Sequence, residues 1–511
     1  MNEITLPYKT RSLCPECLAI IEAEVYPENG KVMIKKICKD HGEFVDVYWG
    51  DVELFKRASR FARDGKGIEN PITEKGNCPF SCGLCGNHKS HTALLNIVLT
   101  NRCDLACWYC FFYAKRAGYV YEPTIEQIRQ MVRLAKQMKP VACNAVQLTG
   151  GEPTLREDLL EIIRVIKEEG YDHIQLNTNG IKLALESDFA VKVREAGVNT
   201  VYLSYDGIDE KTNPKNHNEV PKILDNCRKA GLGIVLVPTV IRSVNDHQLA
   251  DIIRFAAKNV DIVRGVNFQP VSLVGSMPKK ERDQYRITIP DCLKAIEEQT
   301  NGEISRDDFY PVPSVVPVSK FVEAITSRPQ YELTAHFACG MATYLFIEDG
   351  KMIPITRFID IAGFLEFLDK KADEIRDSRM KSLKALKNVI DLRKFIDPSK
   401  APKGMSMRSI LFNILVKHDY SALGEFHKKS LFIGFMHFQD LYNYDIARVE
   451  RCEIHYATPD GRIIPFCTFN VIPEYYRDRI QEKYGTPIEE WERKTGRKLR
   501  DDIYRVVRRP R

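Results

Sequence analysis

Two cysteine triplets of identical spacing stand close together: Cys78-x3-Cys82-x2-Cys85, then Cys103-x3-Cys107-x2-Cys110. Three thiols in so short a loop must converge, and three thiolates can hold three irons of a four-iron cluster. The fourth iron is then open to another ligand. The two settings differ. The second triplet follows the apolar run Leu94–Thr100 and carries Tyr109 just before its last cysteine. The first follows the polar stretch Glu74–Asn77 and has Leu84 at the matching place.

Composition narrows what surrounds them. The chain has 511 residues, 44% of them apolar and 28% charged, enough for two to four domains with a buried core. No run of about 18 apolar residues is present, which argues against a membrane span. Met1–Thr5 lacks the basic and apolar segments of a signal peptide, so a cytoplasmic location is expected. Fifteen cysteines in that compartment point to metal rather than disulfides. A net charge of +6 is too mild for a nucleic-acid binder, although residues 381–430 hold eleven Lys/Arg against four Asp/Glu.

Residues 1–70 read as a metal ribbon. Cys14-x2-Cys17 and Cys38-x2-His41 flank strand-like and turn residues, the spacing of a tetrahedral site in zinc ribbons or rubredoxins. The ligand set leaves zinc and mononuclear iron undecided. Residues 71–91 hold the Cys78 triplet, where His88 or a distant cysteine could serve as a fourth ligand. The alternative for this segment is a zinc knuckle. Cys143, Cys227 and Cys292 read as small buried hydrophobes.

Residues 92–300 alternate strand and helix. Strands are predicted at 93–100, 141–148, 172–177, 199–205, 233–240 and 263–269. Between the first two, Thr124 and Gln127 form a capping-box pattern ahead of Ile125, Ile128, Val132, Ala135 and Met138. Such alternation implies parallel strands and an α/β fold, here a partial (β/α)6 barrel with its functional loops at the strand C-termini. Gly150-Gly151-Glu152 closes the second strand; paired glycines would let the backbone approach a ligand, and Glu152 could accept a hydrogen bond from an ammonium group.

From residue 301 to 511 the alternation stops. Two stretches look like copies: Cys339 followed by Asp349-Gly350 and Pro354-Ile355-Thr356, and Cys452 followed by Asp460-Gly461 and Pro465-Phe466-Cys467. Both predict β-hairpins. Ile410–Val416 and Leu431–Phe438 read as amphipathic core helices with solvated lysines. Together with the local basic charge, they also suit a protein that receives apolar chains and attracts anionic headgroups.

The Cys103 triplet with its aromatic, the Gly-Gly-Glu, Asn177 at the third strand end and Ser204-x-Asp206 in the fourth resemble the radical S-adenosylmethionine (SAM) superfamily, over about 180 residues in the right order. That resemblance implies a [4Fe–4S] cluster on Cys103, Cys107 and Cys110, with SAM held by its amino group at Gly150, Gly151 and Glu152. Tyr109 would flank its adenine, and Asn177, Ser204 and Asp206 would line its ribose and carboxylate. Cys78, Cys82 and Cys85 would hold one auxiliary cluster. Cys339, Cys452 and Cys467 would hold a second, in a C-terminal extension resembling the SPASM type.

The whole plan also resembles the archaeal tetraether lipid synthases. That implies joining the terminal methyl carbons of two phytanyl chains of diether lipids, with a ferredoxin- or flavodoxin-type electron donor and peripheral contact at the cytoplasmic membrane face. The competing expectation is a radical SAM methyltransferase acting on a 7,8-dihydropterin in methanopterin biosynthesis, which shares every cluster motif. The pocket separates them: a long apolar tunnel fits lipid, a polar cleft fits pterin. A third reading, a nucleic-acid-binding module on the ribbon, lacks the basic-aromatic stripe it would need.

Overall fold

The ribbon is one antiparallel meander. Its strands are Tyr8–Leu13, Ile20–Glu28, Lys31–Cys38 and Gly42–Trp49, paired in chain order in the computed structural model. The structure describes residues 3–74, 76–112, 117–376, 378, 391–403 and 430–509. The inner face of the meander, with Ala23, Val25, Val32 and Ile34, is buried. Charged contacts tie it to the remainder. Arg286 pairs with ribbon Asp46 (Nε–Oδ1 2.9 Å) and with Asp440 (Nη1–Oδ2 2.8 Å). The Tyr48 hydroxyl donates to Asp445 at 2.8 Å.

The predicted alternation is present as six parallel strands: Leu94–Thr100, Ala145–Gly150, His173–Thr178, Thr200–Ser204, Gly233–Val237 and Val263–Pro270, adjacent in that order. Helices lie between them. The first, Ile125–Lys136, opens with the reciprocal Thr124–Gln127 capping box that its sequence predicts. The second strand begins at Ala145, later than predicted, so Cys143 precedes it.

One face of this sheet is conventional. Leu95, Ile97, Leu99, Val146, Leu148, Ile174, Leu176, Val201 and Leu203 are buried in the main core. The alternate residues are polar. Asn96, Gln147 and Gln175 share one row, and Asn177 pairs in register with Tyr202. Gln147 donates to Asn96 Oδ1 at 2.9 Å, and Asn177 donates to Thr149 Oγ1 at 3.2 Å. Parallel strands are ordinarily apolar on both faces. A polar row inside such a sheet marks a face built to meet something other than a hydrocarbon core.

The residues after 300 do not build a separate sheet. Ser430–Met436 adds in parallel beside Val263–Pro270, with Gly340–Glu348 antiparallel beyond it, and Ile454–Thr458 adds in parallel to the first strand at the other side. Both predicted Asp-Gly hairpins are present, Gly340–Glu348 with Lys351–Pro354 and Ile454–Thr458 with Arg462–Pro465. Leu431–Phe438, expected as a helix, is therefore largely a strand. A continuous apolar run carries no period, and neighbours on both sides decided it. Ile410–Val416 lies outside the described residues. Among the described residues no helix is long and apolar enough to cross a membrane.

Candidate active site

Parallel strands bring all their C-terminal ends to one rim. There Cys103, Cys107 and Cys110 line a cavity of about 180 Å³ with Gly150, Gly151 and Glu152. Asn177, Ser204 and Gln269, from the third, fourth and sixth strands, complete its polar side, and Phe111, Val271 and Phe438 its apolar side. Burial pushes all three thiols up, Cys107 to about 12. Thiolates at that depth need a bound cation to form. The donor set thus fits an iron–sulfur cluster.

The glycine pair lines the cavity and also packs closely against the cysteine loop. Gly151 N–H donates to Thr100 O (2.8 Å) and Glu152 N–H to Arg102 O (2.7 Å). A Cβ on Gly150 would stand 2.2 Å from Thr100 O, and one on Gly151 2.0 Å from Arg102 O. Gly150 also has φ +137°. The glycines let the second strand end lie against the entrance of the cysteine loop, so they set where Cys103 begins.

Glu152 is almost wholly buried. Its Oε1 accepts from Thr154 Oγ1 and Thr178 Oγ1 (both 2.7 Å), and its Oε2 accepts from Asn179 N–H at 2.8 Å. Burial, with Asp104 nearby, raises its pKa to about 7. An ammonium beside it would restore the carboxylate.

Tyr109, Ser204 and Asp206 meet around a residue the sequence reading missed. Lys215 Nζ lies 2.7 Å from Asp206 Oδ2 and also bonds Ser204 Oγ; the Tyr109 hydroxyl donates to the same Asp206 oxygen. Thr239 N–H holds Asp206 Oδ1 at 2.9 Å. Lys215 sits in a polar turn that reads as solvated loop, with no spacing to mark it. Buried and lining the cavity, it supplies a cation suited to a carboxylate.

The chain's C-terminal segment braces both features from outside. Arg505–Val507 pairs in parallel with Leu105–Cys107, and Trp108 N–H donates to Val507 O at 3.2 Å. The Arg505 guanidinium donates to Lys215 O (2.7 Å) and to Glu219 Oε1 (2.6 Å).

The other cysteines form two further groups. In the ribbon, Cys14, Cys17, Cys38 and His41 place their ligand atoms within 4.8 Å of one another. Cys38–His41 are 3.5 Å apart, Cys14–His41 3.8 Å and Cys17–Cys38 3.9 Å. Bonds of about 2.3 Å to a tetrahedral ion would set sulfurs roughly 3.8 Å apart. A metal fits.

Elsewhere, Cys78 and Cys82 are hydrogen-bonded to each other, and Cys82 Sγ lies 3.8 Å from Thr468, next to Cys467. Cys85 bridges in parallel to Thr73. Cys467 follows one edge hairpin and Cys339 comes from the opposite side of the sheet; burial, with Cys339 nearby, raises Cys467 to about 11. Cys452 feels both. His88 does not turn to the triplet; its Nε2 lies 2.7 Å from Cys452 O and 3.1 Å from His455 Nε2. Phe111, Phe438 and Phe466 make a ring-to-ring contact between Cys110 and Cys467, with centroids 5.7 and 5.1 Å apart. Cys143, Cys227 and Cys292 are buried in the main core, as small apolar residues would be.

Fold and site together define a radical SAM enzyme, which binds SAM and a [4Fe–4S] cluster; the Radical SAM superfamily profile matches residues 97–256. The profile of the HMPTM N-terminal zinc ribbon domain matches residues 6–50. The 7,8-dihydro-6-hydroxymethylpterin dimethyltransferase of Methanocaldococcus jannaschii is 50% identical over 95% of this chain and 97% of its own length, and this chain belongs to its family. A probable GTP 3′,8-cyclase of Pyrococcus horikoshii is 36% identical over 48% of this chain and 70% of its own length. Solved structures are distant: methylornithine synthase is 17% identical, covers 42% of this chain and 64% of its own, and superposes with a TM-score of 0.33.

These findings overturn the expected tetraether lipid synthase. The near full-length relative acts on a pterin, and the ribbon profile is of the same kind.

Proposed function

We propose that this chain methylates a dihydropterin, with 7,8-dihydro-6-hydroxymethylpterin as substrate. The observation that carries the reading is the 50% identity with the dimethyltransferase over nearly the whole of both chains. The cavity supports it. A pterin is a flat ring system with hydrogen-bond donors and acceptors along its edge. Asn177 and Gln269 offer amides to such an edge, while Phe111 and Phe438 offer faces to the ring.

In this reading Cys103, Cys107 and Cys110 hold three irons and leave the fourth for SAM. Glu152 takes the SAM ammonium, and Lys215 with Ser204 takes its carboxylate. Asp206 holds Lys215 in place and fixes Tyr109 as a wall beside the adenine. When bound and reduced, the cluster with SAM supplies a 5′-deoxyadenosyl radical able to take hydrogen from an unactivated carbon. Cys78, Cys82 and Cys85 hold one auxiliary cluster and Cys339, Cys452 and Cys467 another. Cys14, Cys17, Cys38 and His41 hold one zinc or iron. Electrons come from a ferredoxin- or flavodoxin-type donor.

Fluorescence titration of the SAM-loaded enzyme with the dihydropterin tests this. Gln269→Leu should weaken pterin binding at least tenfold while SAM affinity stays near wild type. Equal pterin affinity in the two proteins would refute the placement.

A further inference from the structure

Arg448 lies in the short helix Ile446–Val449 and is 2% exposed. Its Nε donates to Cys339 Sγ at 3.3 Å, and an Nη donates to His437 O at 2.7 Å. The Tyr48 ring lies 5.8 Å away. Other arginines buried as deeply have carboxylate partners: Arg102 has Glu122 and Asp502, and Arg286 has Asp46 and Asp440. Among the described residues Arg448 has none within 4 Å. The carboxylates nearest in sequence are engaged elsewhere: Glu450 pairs with Arg11, and Asp445 accepts from Thr10 and Tyr48.

A guanidinium does not deprotonate in a protein, so burial cannot neutralise it. An uncompensated buried charge costs several kcal/mol. The group this guanidinium meets in place of a carboxylate is the Cys339 sulfur. Sulfurs that ligate iron are electron-rich and accept N–H bonds, and such bonds together with net local charge set a cluster's potential.

We propose that Arg448 is a positioning residue for the C-terminal cysteine site: it anchors Cys339 and sets a fixed positive charge against the cluster bound there, raising its reduction potential. This rests on the reading that Cys339, Cys452 and Cys467 hold an iron–sulfur cluster. The charge favours the reduced state, because reduction adds an electron beside it. Among the described residues, His437 and His336 meet Cys339 through backbone groups: His437 N–H donates to Cys339 O at 2.9 Å, and Cys339 N–H donates to His336 O at 2.8 Å.

The test uses the full-length enzyme, reconstituted anaerobically with iron and sulfide. Iron per chain is measured first, then the cluster potentials by redox titration followed by electron paramagnetic resonance. Arg448→Met keeps the bulk and removes the charge; Arg448→Lys restores the charge without the planar fork. Arg448→Met should retain iron and shift one cluster at least tenfold toward the oxidised state, about 59 mV for a one-electron couple. Arg448→Lys should recover part of that shift. Iron lost in Arg448→Met but kept in Arg448→Lys would equally support a charge role. Unchanged potentials in Arg448→Met, or equal iron loss in both variants, would overturn it. Cys467→Ala tests the underlying reading separately: if it keeps wild-type iron, these cysteines hold no cluster, whatever Arg448 does.

Discussion

Gly151→Ala should loosen the cysteine loop without touching a ligand. The added Cβ would lie 2.0 Å from Arg102 O and 2.7 Å from Arg102 C. Both are backbone atoms, so no side chain can swing aside. Relief requires the strand end or the loop entrance to move, at about 1–3 kcal/mol for forced overpacking. That movement also strains the Glu152 N–H bond to Arg102 O, worth a further ~1 kcal/mol. The sum, roughly 2–4 kcal/mol, falls on the segment that positions Cys103. Gly461→Ala is the control: its φ of +80° costs about 1–2 kcal/mol of backbone strain in a residue with a Cβ, but nothing lies within 4 Å of that Cβ. Both proteins should be reconstituted and compared for radical SAM cluster iron and SAM affinity. Gly151→Ala should lose most of one cluster's iron, and Gly461→Ala should keep it. Wild-type iron and SAM binding in Gly151→Ala would refute the packing role of the glycine pair.

Other expectations follow from the same geometry. Glu152→Gln removes the carboxylate proposed to hold the SAM ammonium, and a hydrogen bond to a charged group is worth about 1.5–3 kcal/mol. Calorimetry should therefore show SAM affinity falling by roughly ten- to a hundredfold. In the wild type the Glu152 pKa is raised to about 7, so the free carboxyl is protonated below that pH and charged above it. SAM affinity should accordingly rise with pH between about 6 and 8 and flatten in Glu152→Gln. Truncation after Ile503 removes the strand beside Leu105–Cys107 and the Arg505 bonds to Lys215 O and Glu219, so both cluster iron and SAM affinity should drop. Cys14→Ser should remove one metal per chain by plasma emission analysis and lower the ribbon's stability, with SAM cleavage retained.

Much of the site was legible because its signals are local. The cysteine spacing, the capping box at Thr124 and the polar residues at strand ends each sit within a few positions of one another, and parallel strands do the rest. The ribbon ligands were equally plain. What escaped depends on contacts distant in sequence. Lys215 is one polar residue in a polar turn, and only the fold brings it to Asp206 and Tyr109. The strand Ser430–Met436 has an apolar run that suits helix or strand alike, and Val263–Pro270 beside it settles the matter. The tail Arg505–Val507 reads as a basic end, yet it pairs with the cysteine loop. The substrate was misread because cluster motifs are common to lipid and pterin enzymes. What overturned the lipid reading was the near full-length likeness to a pterin dimethyltransferase, which no single motif carries.

The most direct test is anaerobic turnover of the reconstituted enzyme with SAM, a low-potential reductant and 7,8-dihydro-6-hydroxymethylpterin, followed by mass spectrometry of pterin and nucleoside products. The account predicts methylated pterin together with 5′-deoxyadenosine and methionine from one SAM and S-adenosylhomocysteine from a second SAM that gives up its methyl, with methylated pterin and 5′-deoxyadenosine both lost in Cys103→Ala. Formation of 5′-deoxyadenosine with the pterin left unmethylated, under conditions where all clusters are present and reduced, would contradict it.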